Sequence, residues 1–185
     1  MLIMSKLVIL SCIAIAAFTM SSCSCDQEKC NVSVKEQMEQ AEAARQDSLK
    51  AIVSNFYKAL STTPNDATAG QTATWMAENW NSNPTPQGGK DLTGFVKTLF
   101  MFHGMIPDLK WTVKDMLISG NKVIVRSLAS GTPNSPEGYF FGVPTNGNKS
   151  FEVQTIDIHT LKDGKLVEAY HVEDWATAIQ QVSAQ

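Results

Sequence analysis

The sequence predicts an α+β fold, and three observations carry that prediction. In residues 33–60 and 92–105, apolar side chains recur at three- and four-residue steps, the period of a helix with one buried face. In residues 111–173 the period shortens to two, the alternation of half-buried strands. Ser119-Gly120-Asn121 and Lys162-Asp163-Gly164 then fold neighbouring strands back on each other as hairpins. Helices first and an antiparallel sheet afterwards stack the helices on one face of the sheet.

The first helix is marked by Val34, Met38, Ala41, Leu49, Ile52, Val53, Phe56, Tyr57 and Leu60. Ser33 followed by Glu36 is a capping-box signature for its start. Residues 36–47 are rich in Glu, Gln, Ala and Arg and read as a solvated helical stalk, so the domain proper is expected from residue 45. After the break at Thr62-Thr63-Pro64-Asn65-Asp66, residues 67–80 read as a second helix, ended by the turn-rich run 81–89. The third helix, residues 92–105, stops at Ile106-Pro107, because the residue before proline is pushed out of helical geometry. Strands are expected over 111–118, 122–129, 151–161 and 165–173, with a short closing helix over 175–182.

The chain has 185 residues, of which 43% are apolar and 18% charged, which suits one folded domain and argues against disorder. A formal charge of −3 argues against a nucleic-acid partner, which needs a basic surface. All four cysteines, Cys12, Cys23, Cys25 and Cys30, lie in the first 30 residues. The body therefore has no thiol for nucleophilic, redox or zinc chemistry. His103, His159 and His171 are dispersed without metal-ligand spacing, so no metal is expected. The glycines at 88, 89 and 94 follow no strand and form no phosphate loop, and no Gly-x-Ser-x-Gly elbow occurs. No cofactor is expected.

Lys6 precedes an uncharged run over residues 7–20, too short to span a bilayer comfortably and suited to a signal-peptide core. Met20-Ser21-Ser22-Cys23 resembles a bacterial lipoprotein cleavage box, in which the signal is cut before a cysteine that then carries the lipid. Residues 1–22 are thus expected as signal, 23–44 as tether and stalk, and 45–185 as the domain, with Cys23 lipidated. The alternative is an ordinary secretory signal that leaves Cys23, Cys25 and Cys30 for disulfides, a poor framework at such close spacing. Both place the mature domain outside the cytoplasm. Removal of residues 1–22 deletes only Lys6 among charged residues, so any membrane contact should come through the lipid anchor rather than basic charge.

Five segments carry a family resemblance: Phe102-His103-Gly104-Met105-Ile106-Pro107-Asp108-Leu109; Gly120-Asn121-Lys122-Val123-Ile124-Val125-Arg126; Phe141-Gly142-Val143-Pro144-Thr145-Asn146-Gly147; Ile156-Asp157-Ile158; and Asp163-Gly164-Lys165-Leu166-Val167-Glu168. In order and spacing they resemble the SnoaL-like polyketide cyclase, or ester cyclase, family of the nuclear transport factor 2-like superfamily. Trp80-Asn81-Ser82-Asn83-Pro84 also looks like the family's segment closing the second helix, so the resemblance covers roughly residues 50–182. It implies a cone-shaped α+β fold in which a curved antiparallel sheet wraps a pocket closed by helices. It also implies a small hydrophobic ligand or substrate and a homodimer.

The resemblance places a catalytic aspartate of the family at His171 and its histidine at Asp157, so the two residue types are exchanged here. A carboxylate beside an imidazole can still move protons near neutral pH. Whether Asp157 and His171 share a face depends on the hairpin. A three-residue loop with Gly164 left-handed pairs Leu161 with Lys165, sets Thr155 opposite His171 and Asp157 opposite Ala169, and puts all four on one side. A two-residue Asp163-Gly164 turn pairs Leu161 with Leu166 and separates Asp157 from His171. The first register is preferred, because the resembled family keeps its polar pocket residues at this even spacing. His159 is expected nearer the hairpin end, in solvent.

His103, Thr155 and Asn81, and Asn83 beside it, are candidate polar contacts of the pocket; Tyr57, Trp80, Trp111, Phe140 and Phe141 are candidates for its apolar wall. Glu173 and Asp174 are expected to favour the N-terminus of the last helix. Two functions follow. One is a cofactor-free acid/base catalyst acting on a small hydrophobic cyclic or polyketide-like molecule, with His171 as acid or base and Asp157 orienting it. The other is a non-catalytic lipoprotein of the same fold that binds a small ligand or dimerises, with Asp157 and His171 an inert polar pair.

Overall fold

A computed structural model describes residues 27–83, 90–134, 138–145 and 149–183, with only the backbone described for residues 27–31. The expected signal peptide, the cleavage box with Cys23, and the turn-rich residues 84–89 lie outside the described residues. The chain divides into two compact units, residues 1–38 and 39–185. In the first unit, the described part is helical and its side chains from Val32 to Met38 are exposed. The second unit holds the sheet and the cavity.

Helix α1 runs over Gln27–Leu60. It begins before Ser33, which is therefore a helix-interior residue and not the expected cap. Its last three turns bury Val53, Phe56, Tyr57 and Leu60. These positions, at steps of three, one and three, share one face of the helix. Arg45 ties its exposed stretch to the sheet by donating to the Gly120 carbonyl at 3.0 Å.

The expected helix over 67–80 is replaced by two elements, the short helix α2 (Thr68–Thr72) and strand β1 (Met76–Asn83). Met, Ala and Glu in this stretch favour a helix locally, but the backbone of β1 pairs in parallel with the far end of the chain. Leu166 donates to the Trp75 carbonyl at 2.9 Å, and Lys165 Nζ to that of Ala73 at 2.7 Å. Met76 is buried before a register shift in this pairing, and from Trp80 onward the burial of β1 follows strand alternation, with Trp80 and Ser82 buried and Asn81 exposed.

Helix α3 occupies Leu92–Met105, the expected limits, capped by Asp91, whose carboxylate accepts from Gly94 N–H at 2.7 Å. Strands β2 (Lys110–Ser119) and β3 (Lys122–Gly131) form the first hairpin, a two-stranded ribbon follows as β4 (Tyr139–Phe140) and β5 (Val143–Pro144), and β6 (Phe151–Lys162) and β7 (Lys165–Glu173) form the second hairpin. Helix α4 (Trp175–Val182) closes the described chain. The main sheet has the order β1-β7-β6-β3-β2, antiparallel except at β1.

The second hairpin corrects the expected register. Asp163 (φ 50°) and Gly164 (φ 74°) form a two-residue turn, and Leu161 pairs with Leu166 rather than Lys165. A bulge immediately beyond shifts the pairing, so that Thr160 faces Glu168 and Val167 is the extra residue. That one residue restores the parity the turn had removed. Asp157 lies directly opposite His171, Thr155 opposite Glu173 and His159 opposite Ala169.

Odd-numbered residues of β6 face the helices and are buried, from Phe151 to Leu161. Of these, Phe151, Val153 and Leu161 pack with Val123, Val125 and Ala129 of β3 and with the buried faces of α1 and α3 as one apolar core. Gly131 sits where this packing leaves no room for a side chain: a Cβ there would collide with the Cγ2 atom of fully buried Ile106. Gly131→Ala is expected to destabilise the fold by about 1–3 kcal/mol, seen as a lower urea midpoint. An unchanged midpoint would mean that Ile106 has room to move.

Candidate functional site

A cavity of about 130 Å³ lies between the helices and the inner face of the sheet. Its apolar wall comes from Phe56 and Leu60 of α1, Trp80 of β1, Phe95 and Phe102 of α3, Trp111 of β2 and Trp175 of α4. One end is polar, with Ser82, Lys90, Asp157, His171 and Glu173. This volume is close to the ~150 Å³ of a cavity that admits benzene, so it accepts a group the size of one ring.

Strand alternation assembles the polar end. Asp157 projects from the central strand β6, His171 and Glu173 from β7, and Ser82 from β1. The expected contact in which Asp157 orients His171 is absent. Both ring nitrogens of His171 have other partners: Nδ1 lies 2.9 Å from Glu173 Oε1, and Nε2 lies 2.9 Å from Ser82 Oγ. Glu173 thus serves His171 instead of the last helix, whose cap is Asp174, accepting from Thr177 N–H at 3.0 Å.

Asp157 is 3% exposed and accepts a 2.7 Å hydrogen bond from the Tyr57 hydroxyl at Oδ2. Burial pushes its carboxyl up to about 7, helped by the negative charge of Glu173 and opposed by the Tyr57 hydrogen bond and the charge of His171. His171 is shifted upward, chiefly by its hydrogen bond to Glu173, which outweighs the opposing effect of partial burial and favours the imidazolium. In that state Nδ1–H and Nε2–H both donate, leaving the Ser82 hydroxyl proton to point elsewhere.

His159 is not in solvent but fully buried. Burial, with a smaller contribution from the charge of His171, depresses it to about 3, so it is neutral. Its Nε2 lies 2.9 Å from the Tyr57 oxygen. The Tyr57 phenol, pushed far above its usual range by burial and then by Asp157, keeps its proton.

The remaining expected contacts divide. Trp80 and Trp111 line the cavity. Thr155 is buried beside Asp157, bonded to Ser127 Oγ at 2.6 Å and accepting from Trp111 Nε1–H at 3.3 Å, and so supports the wall from behind. His103 is outside the cavity lining and joins α3 to the end of α1 through Nε2 and the Leu60 carbonyl, 3.1 Å apart. Asn81 is exposed on the outer face, and Asn83, on the same outward parity, lies outside the cavity lining. Phe140 is fully buried core stacked on Phe151, and Phe141 is exposed in the β4–β5 turn; neither lines the cavity.

The cavity residues missed in the sequence are the polar Ser82, Lys90, Thr98 and Glu173 and the wall residues Phe56, Leu60, Phe95, Phe102 and Trp175. Ser82 was legible only with residues 76–83 as a strand, where it shares a face with Trp80 and Asn81 does not. Among the described residues, no three His, Cys, Asp or Glu side chains come together as metal ligands.

A curved, mainly antiparallel sheet whose concave side carries a polar cluster under covering helices is the nuclear transport factor 2-like architecture. This chain belongs to the SnoaL-like polyketide cyclase family, whose profile matches residues 51–182. Solved structures of the same fold include TsrD from Streptomyces laurentii, with 21% identity over 75% of this chain and 97% of that one at a TM-score of 0.63. IdmH from Streptomyces antibioticus is similar over 72% of this chain and 96% of its own, with 22% identity and a TM-score of 0.59. A SnoaL-like polyketide cyclase from Agrobacterium tumefaciens shares 18% identity over 72% of this chain and 96% of its own, at a TM-score of 0.58. No curated protein sequence matches the chain.

Proposed function

We propose that the protein is a cofactor-free acid/base catalyst that abstracts and returns a proton on a small apolar ring molecule bearing a carbonyl. One observation carries this reading: the carboxyl of Asp157 borders an aromatic cavity while burial holds it near neutrality, where a group both accepts and releases protons. The roles differ from those expected, since Asp157 is the proton-transfer group and His171 is held by Glu173. Asp157 takes a proton from the carbon beside the carbonyl, and the C–H electron pair passes into the enolate. The developing oxygen charge is met by the Ser82 hydroxyl, polarised by the His171 imidazolium. Asp157, now neutral, trades its proton with solvent and then protonates the carbon, so substrate and protein end as they began and the α-hydrogen is replaced by one from solvent.

The test is exchange of the α-protons of 2-tetralone for deuterium in D2O, followed by NMR. Exchange above the buffer rate that falls on His171→Ala supports both roles. Unchanged exchange in that variant removes His171 from the chemistry, and no exchange by the wild type overturns the catalytic reading.

The same proposal places the domain outside the cytoplasm, held to a membrane by a lipid on Cys23. An unmodified Cys23 in the mass spectrum of the mature N-terminal peptide would defeat the anchor. It also includes a homodimer through the outer face of the sheet, where Leu117, Ile156, Tyr170 and Val172 are exposed. A monomeric mass in sedimentation equilibrium would remove the dimer.

A further inference from the structure

We propose that Tyr57 and His159 are positioning residues that select the working oxygen of Asp157: His159 donates from Nε2 to the Tyr57 oxygen, Tyr57 donates to Oδ2, and Oδ1 is left to exchange the proton with substrate. The inference rests on the reading of Asp157 as the proton-transfer group and adds which atom acts and what holds it.

Counting protons fixes the direction of this chain. The three groups are buried in a row, with the Tyr57 hydroxyl 2.7 Å from Asp157 Oδ2 and 2.9 Å from His159 Nε2. A tyrosine hydroxyl has one proton, so it donates to only one of its two neighbours. If it donated to His159, the neutral ring would carry its proton on Nδ1. That atom is buried and has no partner among the described residues. A buried N–H without an acceptor is the rarer and costlier defect, whereas a bare ring nitrogen only forgoes an acceptance. With the proton on Nε2, every proton in the chain has an acceptor.

The rings of Phe56 and Tyr57 meet His159 edge-on with centroids 4.8 Å and 5.7 Å away, and keep it facing the hydroxyl. Because His159 stays neutral, it adds no charge while Asp157 gains and loses a proton. The other groups that act on Asp157 are Glu173 and His171 of β7, with Thr155 of its own strand. Neither Tyr57 nor His159 lines the cavity, so neither touches substrate.

The experiment is NMR of the labelled protein without substrate. The expected spectrum shows His159 neutral and protonated on Nε2 from roughly pH 5 to 9, two or more units above its depressed value. The Asp157 carboxyl carbon titrates near neutrality, and Tyr57→Phe moves that midpoint upward by roughly one unit, the size of one hydrogen bond to a charged group. His159→Leu shifts it in the same direction, and His159→Gln, which restores an N–H at the Nε2 position, brings it back toward wild type. A His159 proton on Nδ1 would overturn the proposal, and so would an Asp157 midpoint that ignores Tyr57→Phe. If Tyr57→Phe does not fold, the wild-type tautomer alone decides. No turnover is needed, so a wild type that fails to exchange 2-tetralone but shows this tautomer and shift loses its catalytic reading while the hydrogen-bond chain stands.

Discussion

Replacing Asp157 with Asn is expected to slow deuterium exchange into 2-tetralone by about 10²- to 10⁴-fold, the range for loss of a positioned acid/base group. The same variant should be more stable than wild type at pH 8, with the advantage shrinking toward pH 4. The sign follows from the direction of the Asp157 shift. Its carboxyl is raised from 3.8 to about 7 in the folded state. Between those values the unfolded chain has released the proton and the folded chain still holds it, so stability falls as pH rises through the window. Above about pH 7 the full deficit is present, on the order of a few kcal/mol for a buried carboxyl. Asn has no proton to lose and keeps an acceptor for Tyr57, so the difference in Tm between variant and wild type should grow across the window. A difference that stays constant with pH would sink this account, whatever happens to exchange.

Phe56→Ala should be the most damaging apolar substitution tested at the cavity, lowering stability by about 3–5 kcal/mol. Phe56 is 7% exposed, and its ring meets those of Tyr57 at 5.4 Å, Trp80 at 6.2 Å, Phe95 at 5.0 Å and His159 at 4.8 Å between centroids. These neighbours come from α1, β1, α3 and β6, and strands do not close over a missing ring without losing their pairing. The void therefore persists and adds its own cost to the lost transfer energy. The fall should appear as a Tm lower by roughly 10 °C for a domain of this size. Phe56→Leu, which refills most of the space, should recover more than half of it. A loss under about 1 kcal/mol for Phe56→Ala would show that the walls collapse, contrary to the rigidity inferred for them.

Much of the fold was legible because it is local. The end of α3 follows from Ile106-Pro107, and β2 and β3 from alternation on either side of a glycine turn. The inward face of β6 is also local: once Phe151, Val153 and Leu161 point to the core, Asp157 points with them. These inferences use neighbours within a few residues, and short-range geometry determines them.

The rest depended on partners far away in the chain. Residues 76–83 carry a helix-favouring composition and become a strand because β7, some ninety positions later, supplies the hydrogen bonds that satisfy their backbone. That pairing brings Ser82 to the cavity and turns Asn81 outward. Asp163-Gly164 specified the two-residue turn, yet the bulge at Val167 decided that Asp157 and His171 share a face, and nothing in the hairpin's alternation marks it. His159 was read as solvated from its place near a turn. It is buried because α1, a hundred residues earlier, lays Phe56 and Tyr57 across it. By itself, then, the sequence determined the class of fold, most of its elements and the residue types available for chemistry. Only the tertiary structure decided which of those groups meet, because burial and hydrogen-bond partners are set by packing between distant segments and leave no periodic trace in either one.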